Sequence, residues 1–284
     1  AIEKPTTGTA TIEFNGSTFD FYAVATNAEN GFTLPLKPQL TITAAAVDGK
    51  ETMRDAATYK VTVSPAGDYK WQDNTSTGVV FTFVITSKDA EFVWQVGEYT
   101  YNGATTYAPT IQGLNGLVSG DSVTWTITGG NQNAGNHTAT GELGGTHADN
   151  YNVTNKTQAF TVKKAVLGDP DMTKTAAFTR NNQTFTVAGW DEIKNKVTVA
   201  SSAKNIADKD LSDWTFTDGT LTLLHAGEYQ LTFTINDGYK DNYCWNIFEQ
   251  MTFDGRAPLI QKVRVNRAEL TAPVLGDSGA VEVD

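Results

Sequence analysis

The stretch His225-Ala226-Gly227-Glu228-Tyr229-Gln230-Leu231-Thr232-Phe233-Thr234-Ile235 is a turn that runs into strict alternation. Tyr229, Leu231, Phe233 and Ile235 fall on one face and Gln230, Thr232 and Thr234 on the other, the period of two expected of a strand with one buried side. The same device stands twice upstream, as Asp55-Ala56-Ala57-Thr58-Tyr59-Lys60-Val61-Thr62-Val63 and as Asn133-Ala134-Gly135-Asn136-His137-Thr138-Ala139. A second aromatic follows each copy behind an aspartate, in Asp68-Tyr69, Asp149-Asn150-Tyr151 and Asp241-Asn242-Tyr243.

A tight corner that delivers a tyrosine into a late strand is the tyrosine corner of immunoglobulin-like sandwiches, in which the ring is buried and the hydroxyl bonds backbone a few residues upstream. Three copies predict an all-β fold of three tandem immunoglobulin-like antiparallel β-sandwiches, with Tyr59, His137 and Tyr229 as the structural corner residues. Dividing 284 residues by three gives roughly 95 each, close to the usual size of about 100. The expected repeats are residues 1–90, 91–167 and 168–270, and 271–284 reads as a linker or the start of a further repeat.

Turn chemistry fills in the rest. Asn15-Gly16 and Asn102-Gly103 carry the two-residue hairpin signal, and Asp218-Gly219 carries it most clearly, pairing Phe216 with Leu221 and Trp214 with Leu223. Val79 to Ile85, Phe160 to Ala165 and Lys262 to Ala268 read as closing strands. Ser87-Lys88-Asp89 reads as a short polar joint. Ala203 to Ser212 is polar and lacks alternation, as a short helix or an insertion would.

Charge and composition exclude several classes. A formal net charge of −11 and a pI near 4.7 argue against nucleic acid, which calls for a basic face, and suit a monomer that does not self-associate. No run is long and apolar enough for membrane insertion, and no signal peptide opens the chain. The abrupt start at Ala1-Ile2-Glu3-Lys4-Pro5 reads as a segment excised from something longer. Cys244 is the single cysteine, so no intrachain disulfide forms; beside Trp245 it reads as a small buried residue.

Motifs that carry chemistry are missing. Gly276-Asp277-Ser278-Gly279 resembles a serine-protease nucleophile segment but has no upstream histidine motif, and reads as a turn. His137, His147 and His225 are the only histidines, with no HExxH or cysteine pair for zinc. Gly141-Glu142-Leu143-Gly144-Gly145 lacks the Lys-Ser/Thr of a phosphate loop, and Asn236-Asp237-Gly238 lacks the ligand series of an EF-hand. The expectation is therefore no catalytic residue, no cofactor and no metal.

The aromatics leave one ligand reading open. Trp125 and Trp214 sit on apolar faces of alternating strands and read as core. Trp71, Trp190 and Trp245 lie near turns and are the candidate ligand-binding residues, as stacking faces for sugar rings. Trp245 leads them, in an aromatic-rich segment with Phe248, Met251 and Phe253.

Taken together, the Asn-Gly openings, the Asn-Ala-Gly-x-His/Tyr corners, the Asp-Asn-Tyr-Asn turn and the Phe-Thr-Val-Lys-Lys-Ala closure resemble bacterial immunoglobulin-like repeats of the MBG/YDG type. Tyr99 to Ala165 matches most fully; Ala57 replaces the corner glycine in repeat one and Asn182 the opening glycine in repeat three. The resemblance implies an extracellular segment of a large bacterial cell-surface protein. It would act as stalk, spacer or adhesive module toward a host or cell-surface glycan or protein, and the family carries no catalytic residues to transfer. The alternative is a carbohydrate-binding module using the aromatics near Trp245. An enzyme of the glycosidase kind would need two carboxylates facing across a cleft, and no acidic pair suggests one.

Overall fold

The computed structural model describes residues 1–46, 52–170, 174–177, 183–205, 207–246 and 257–267. The chain is all-β, with several sheets and two short α-helices among these residues. It divides into two compact units. Unit 1 is Ala1–Glu98, Thr106–Asn131 and Asn136–Thr161; unit 2 is Tyr99–Thr105, Gln132–Gly135 and Val162–Asp284.

Unit 1 opens with β1 (Thr9–Glu13), helix α1 (Phe21–Ala25), β2 (Leu40–Ala46), β3 (Ala57–Pro65) and β4 (Val79–Thr86). The sheet order is β1-β4-β3-β2. Alternation decides which face is buried: Tyr59, Val61 and Val63 of β3 and Phe81, Phe83 and Ile85 of β4 all point into the core. Asp20 caps α1 by accepting from the Tyr22 N–H at 3.1 Å, and the helix drops Phe21 onto Phe81 and Phe83 with ring centroids 5.4 and 5.8 Å away.

The chain then runs through β5 (Lys88–Gln95), β6 (Tyr99–Thr100), β7 (Thr110–Asn115), β8 (Thr124–Thr128), β9 (Gly135–Gly144), β10 (Tyr151–Val153) and β11 (Thr157–Lys163). β5 pairs antiparallel with β7 across a bulge at Val93/Trp94, and β8 pairs antiparallel with β9. Phe92, Ile111 and Val153 form a small core there, flanked by Trp94, Trp125 and Ile127.

Unit 2 contains β12 (Ala165–Leu167), β13 (Lys174–Ala177), β14 (Gln183–Thr186), helix α2 (Trp190–Ile193), β15 (Val197–Lys204), β16 (Trp214–Thr217), β17 (Thr220–Leu223), β18 (Gly227–Ile235), β19 (Tyr243–Trp245) and β20 (Leu259–Asn266). Two of its sheets, β13-β20-β18-β15 and β14-β17-β16, enclose a core that includes Leu221, Leu223, Tyr229, Leu231 and Phe233. The Asp218-Gly219 turn has φ of 43° and 75°, and pairs Phe216 with Leu221 and Trp214 with Leu223, the register its chemistry dictates. Beyond Ala203 and Lys204, which end β15, the polar stretch is a loop pinned by a Lys204–Asp210 bridge, with no helix among its described residues.

Three details depart from the sequence reading. The sheets are not purely antiparallel: β1 pairs parallel with β4, β6 with β11, and β13 with β20, so each repeat's opening strand lies beside its closing strand. Neither Asn15-Gly16 nor Asn102-Gly103 turns a hairpin. Their asparagine side chains instead accept from the N–H groups of Ser17, and of Ala104 and Thr105, making local turns that end the opening strands. The polar joint shrinks too: only Ser87 separates β4 from β5, and only Lys164 separates β11 from β12. Asn182, Phe248, Met251, Phe253, Gly276 to Gly279 and 271–284 lie outside the described residues.

Candidate functional site

Each corner follows from its own sequence. Tyr59 is 1% exposed, and its hydroxyl donates to the carbonyls of Asp55 (2.9 Å) and Thr52 (3.2 Å). Tyr229 is equally buried and donates to the His225 carbonyl at 2.7 Å. His137 is half-buried, its ring 5.5 Å from that of Phe160. Tyr59 and Tyr229 are packing residues whose hydroxyls serve the backbone.

The densest polar chemistry lies where the Asp-Asn-Tyr turn meets the preceding corner. Asn150 is completely buried; its Oδ1 accepts from the Ala56 N–H at 2.8 Å and its Nδ2 donates to Asp55 at 2.9 Å. The Tyr151 ring stands edge-on to Phe14 at 5.7 Å, and its hydroxyl donates to Asp121 at 2.6 Å while accepting from the Val118 N–H at 3.0 Å. Arg54 completes the group by donating to Asp121, to Asp55 at 2.9 Å and to the Gly16 carbonyl at 3.1 Å, with its guanidinium 5.5 Å over Phe14. Gly16 must be glycine: its φ is +85°, and a Cβ there would fall 2.3 Å from Val118.

Electrostatics match this geometry. Burial pushes the Asp121 carboxyl up, but the Tyr151 hydroxyl and Arg54 more than offset it and hold the group below its ordinary value. Burial first, and then Asp121, push the Tyr151 phenol up to about 12. The five side chains Asn150, Asp55, Arg54, Asp121 and Tyr151 are joined in one run of bonds, and the cluster is a clamp.

A second clamp, within unit 2, repeats the asparagine and tyrosine contacts of the first. Asn242 accepts from the Ala134 N–H at 2.7 Å and donates to Asn133 at 3.2 Å, and Tyr243 stands edge-on to Tyr101 at 5.4 Å. Ala134 and Asn133 thus take the places of Ala56 and Asp55, and Tyr101 that of Phe14. The Asp-Asn-Tyr triplets were visible in the sequence; their partners, 94 and 108 residues away, were not.

Clamping makes an alkaline prediction. A phenol whose folded pKa is raised contributes stability that is full below the unfolded value near 10 and is lost as pH rises through about 12, up to roughly 2–3 kcal/mol. Tyr229 and Tyr243 are raised as well, chiefly by burial, so the informative quantity is the difference made by one residue. Urea midpoints followed from neutral to high pH should fall less in Tyr151→Phe than in the wild type. Superimposable profiles would show that the phenol ionises freely.

Two of the three tryptophan expectations need correction. Trp245 and Trp71 are both 0% exposed, held by parallel pairing to buried Leu167 and Ile2, so neither presents a face to a sugar. The Trp71 indole donates to the Thr77 carbonyl at 2.9 Å. Trp190 is half-buried, donates to Asp218 at 2.8 Å and packs edge-on against Phe216. Of the three, only Trp190 is not fully buried. Among the described residues no group of three or more His, Cys, Asp and Glu side chains is placed to hold a metal ion, and no helix is long and apolar enough to cross a membrane.

No protein-family model matches the chain, and no curated protein matches it in sequence. Among solved structures it is similar to Drosophila N-cadherin EC1-4, at 8% identity over 92% of this chain and 74% of that one, with a TM-score of 0.21. It is also similar to the zebrafish RET cadherin-like domains 1 to 4, at 10% identity over 81% of this chain and 66% of that one, again with a TM-score of 0.21. At such scores the likeness carries no argument about residues or ligands.

Proposed function

We propose that the chain is a non-catalytic segment of a bacterial cell-surface protein, composed of immunoglobulin-like repeats of the MBG/YDG kind and used outside the cell as a stalk, spacer or adhesive module. The observation that supports this reading is the destination of the strongest polar groups. Arg54, Asp55, Asp121, Tyr151 and Asn150 bond one another in a clamp between a corner and the next turn, and the Asn242 clamp repeats its asparagine and tyrosine contacts. A chain whose buried charge holds modules together, with no reactive cleft built from it, is suited to setting distance and orientation. Adhesion would then use exposed side chains toward a glycan or protein on a host or neighbouring cell.

Antibodies raised against the segment test the location directly. They should label intact cells that produce the parent protein, and shaving with external protease should remove the signal. Labelling that requires permeabilised cells would overturn the surface reading.

A further inference from the structure

The two clamps share a register, and the register identifies a half-clamp on each side of them. Tyr151 and Tyr243 each start a short strand whose third residue, Val153 or Trp245, pairs parallel with a buried residue, Ala90 or Leu167. Trp71 pairs parallel with buried Ile2 in the same way. The next N–H confirms the alignment: Gln72 donates to the Ile2 carbonyl at 3.0 Å as Thr154 donates to that of Ala90 at 3.0 Å. Counting back two residues, Tyr69 is the equivalent of Tyr151 and Tyr243, and Asp68 of Asn150 and Asn242. Yet Tyr69 is 44% exposed and Asp68 is exposed without a hydrogen-bonding or ionic partner among the described residues.

The receiving half is equally plain. In the three corners Ala56, Ala134 and Ala226 are equivalent, each three residues before the corner position, and Ala56 and Ala134 donate their N–H groups to the clamp asparagines. The Ala226 N–H has no partner among the described residues. His225 takes the place of Asp55 and Asn133; its side chain is 52% exposed, 3.2 Å from Asp213. A groove of about 360 Å³ reaches Gly227, two residues on, and is lined as well by Lys204, Asp208, Glu228, Arg264 and Arg267. Lys204 pairs with Asp208 and Glu228 with Lys262, which leaves Arg264 and Arg267 without an ionic partner among the described residues.

We infer that the Asp68-Tyr69 turn of one copy of this chain docks on the His225-Ala226 corner of a second copy, completing a third clamp head to tail. The complementarity is specific. Asp68 lacks the amide donor of Asn150, and the receiving corner lacks the acceptor of Asp55, offering instead an imidazole, a free N–H and two arginines. A carboxylate accepts from the N–H and from the arginines. The contact is heterologous, so copies add in a row and do not close as a symmetric pair. Without the peptide tether that holds the internal clamps at high effective concentration, association is weak in dilute solution and grows with crowding on a surface. The inference rests on the clamp register and not on where the chain resides.

Sedimentation of the whole chain from micromolar to millimolar concentration tests it. The wild type should associate reversibly into dimers and longer species. Tyr69→Ala and His225→Glu should each weaken this by about tenfold or more. An equimolar mixture of the two variants keeps one intact turn and one intact corner, and should give dimers but nothing larger. Arg264→Glu serves as the corner variant if His225→Glu does not fold, as judged by circular dichroism. A wild type that stays monomeric to millimolar concentration, or association unchanged by these substitutions, would overturn the proposal.

Discussion

Arg54→Ala is expected to destabilise unit 1 by about 3–5 kcal/mol, the usual cost of removing one partner from a buried ion pair. The Asp121 side chain is 0% exposed, and Arg54, at 25%, supplies its cationic partner. Without the guanidinium, the carboxylate keeps the Tyr151 hydroxyl but loses the charge that balances its burial. Asp55 and the Gly16 carbonyl each lose a donor at the same time. Arg54→Lys should fall between, because an ammonium restores charge but not the fork that reaches three acceptors. The pH dependence has a defined sign. A depressed carboxyl pKa contributes stability above the unfolded value near 3.9 and loses it as pH falls through the folded value, so this acid limb should flatten in Arg54→Ala. Urea denaturation of the three proteins at neutral and acid pH measures both effects. A loss below about 1 kcal/mol would place the pair in the class of solvated surface bridges.

Tyr229→Ala is expected to cost roughly 3–5 kcal/mol, the scale for removing a large aromatic from a core. The ring is 1% exposed and lies edge-on to Trp214 at 5.9 Å, so its loss leaves a cavity against both β18 and the neighbouring indole. The hydroxyl is separable from the ring. Tyr229→Phe removes one bond of 2.7 Å to the His225 carbonyl and should cost about 1 kcal/mol, rising to about 3 if that carbonyl is stranded away from water. The ratio of the two losses is the diagnostic quantity. Equal losses would mean that the hydroxyl alone holds the corner and the ring contributes nothing.

What could be read from the sequence was what repeats locally. Alternation in β3 and β18 exposed the buried faces, and the spacing from Asp55 to Tyr59 and from His225 to Tyr229 located both corners, because a period of two and a four-residue turn need only neighbouring residues. The Asp218-Gly219 register was legible for the same reason. Asn15-Gly16 misled, since the same dipeptide serves a hairpin or a side-chain turn, and only the distant parallel partner β4 decides between them. Trp71 and Trp245 misled likewise: their burial is set by pairing with Ile2 and Leu167, residues 69 and 78 positions away by count in the sequence. The Arg54–Asp121 bond spans 67 residues and leaves no local trace, so the clamp could not be assembled before the fold was known.

The parallel pairing of β1 with β4, and of β13 with β20, sets how a repeat responds to tension. The N-terminal end of β1 and the C-terminal end of β4 lie at opposite ends of one row of bonds, from Thr9 beside Thr82 to Glu13 beside Thr86. A pull that separates those ends slides the strands lengthwise, so the bonds of the row stretch together and must yield together. Had the two strands been antiparallel, the same pull would peel them apart one rung at a time. The register from Lys174 beside Val263 to Ala177 beside Asn266 has the same directional sense. Drawn along its strands, each of these pairs is a shear joint, stiffest in the direction in which a tethered chain is stretched.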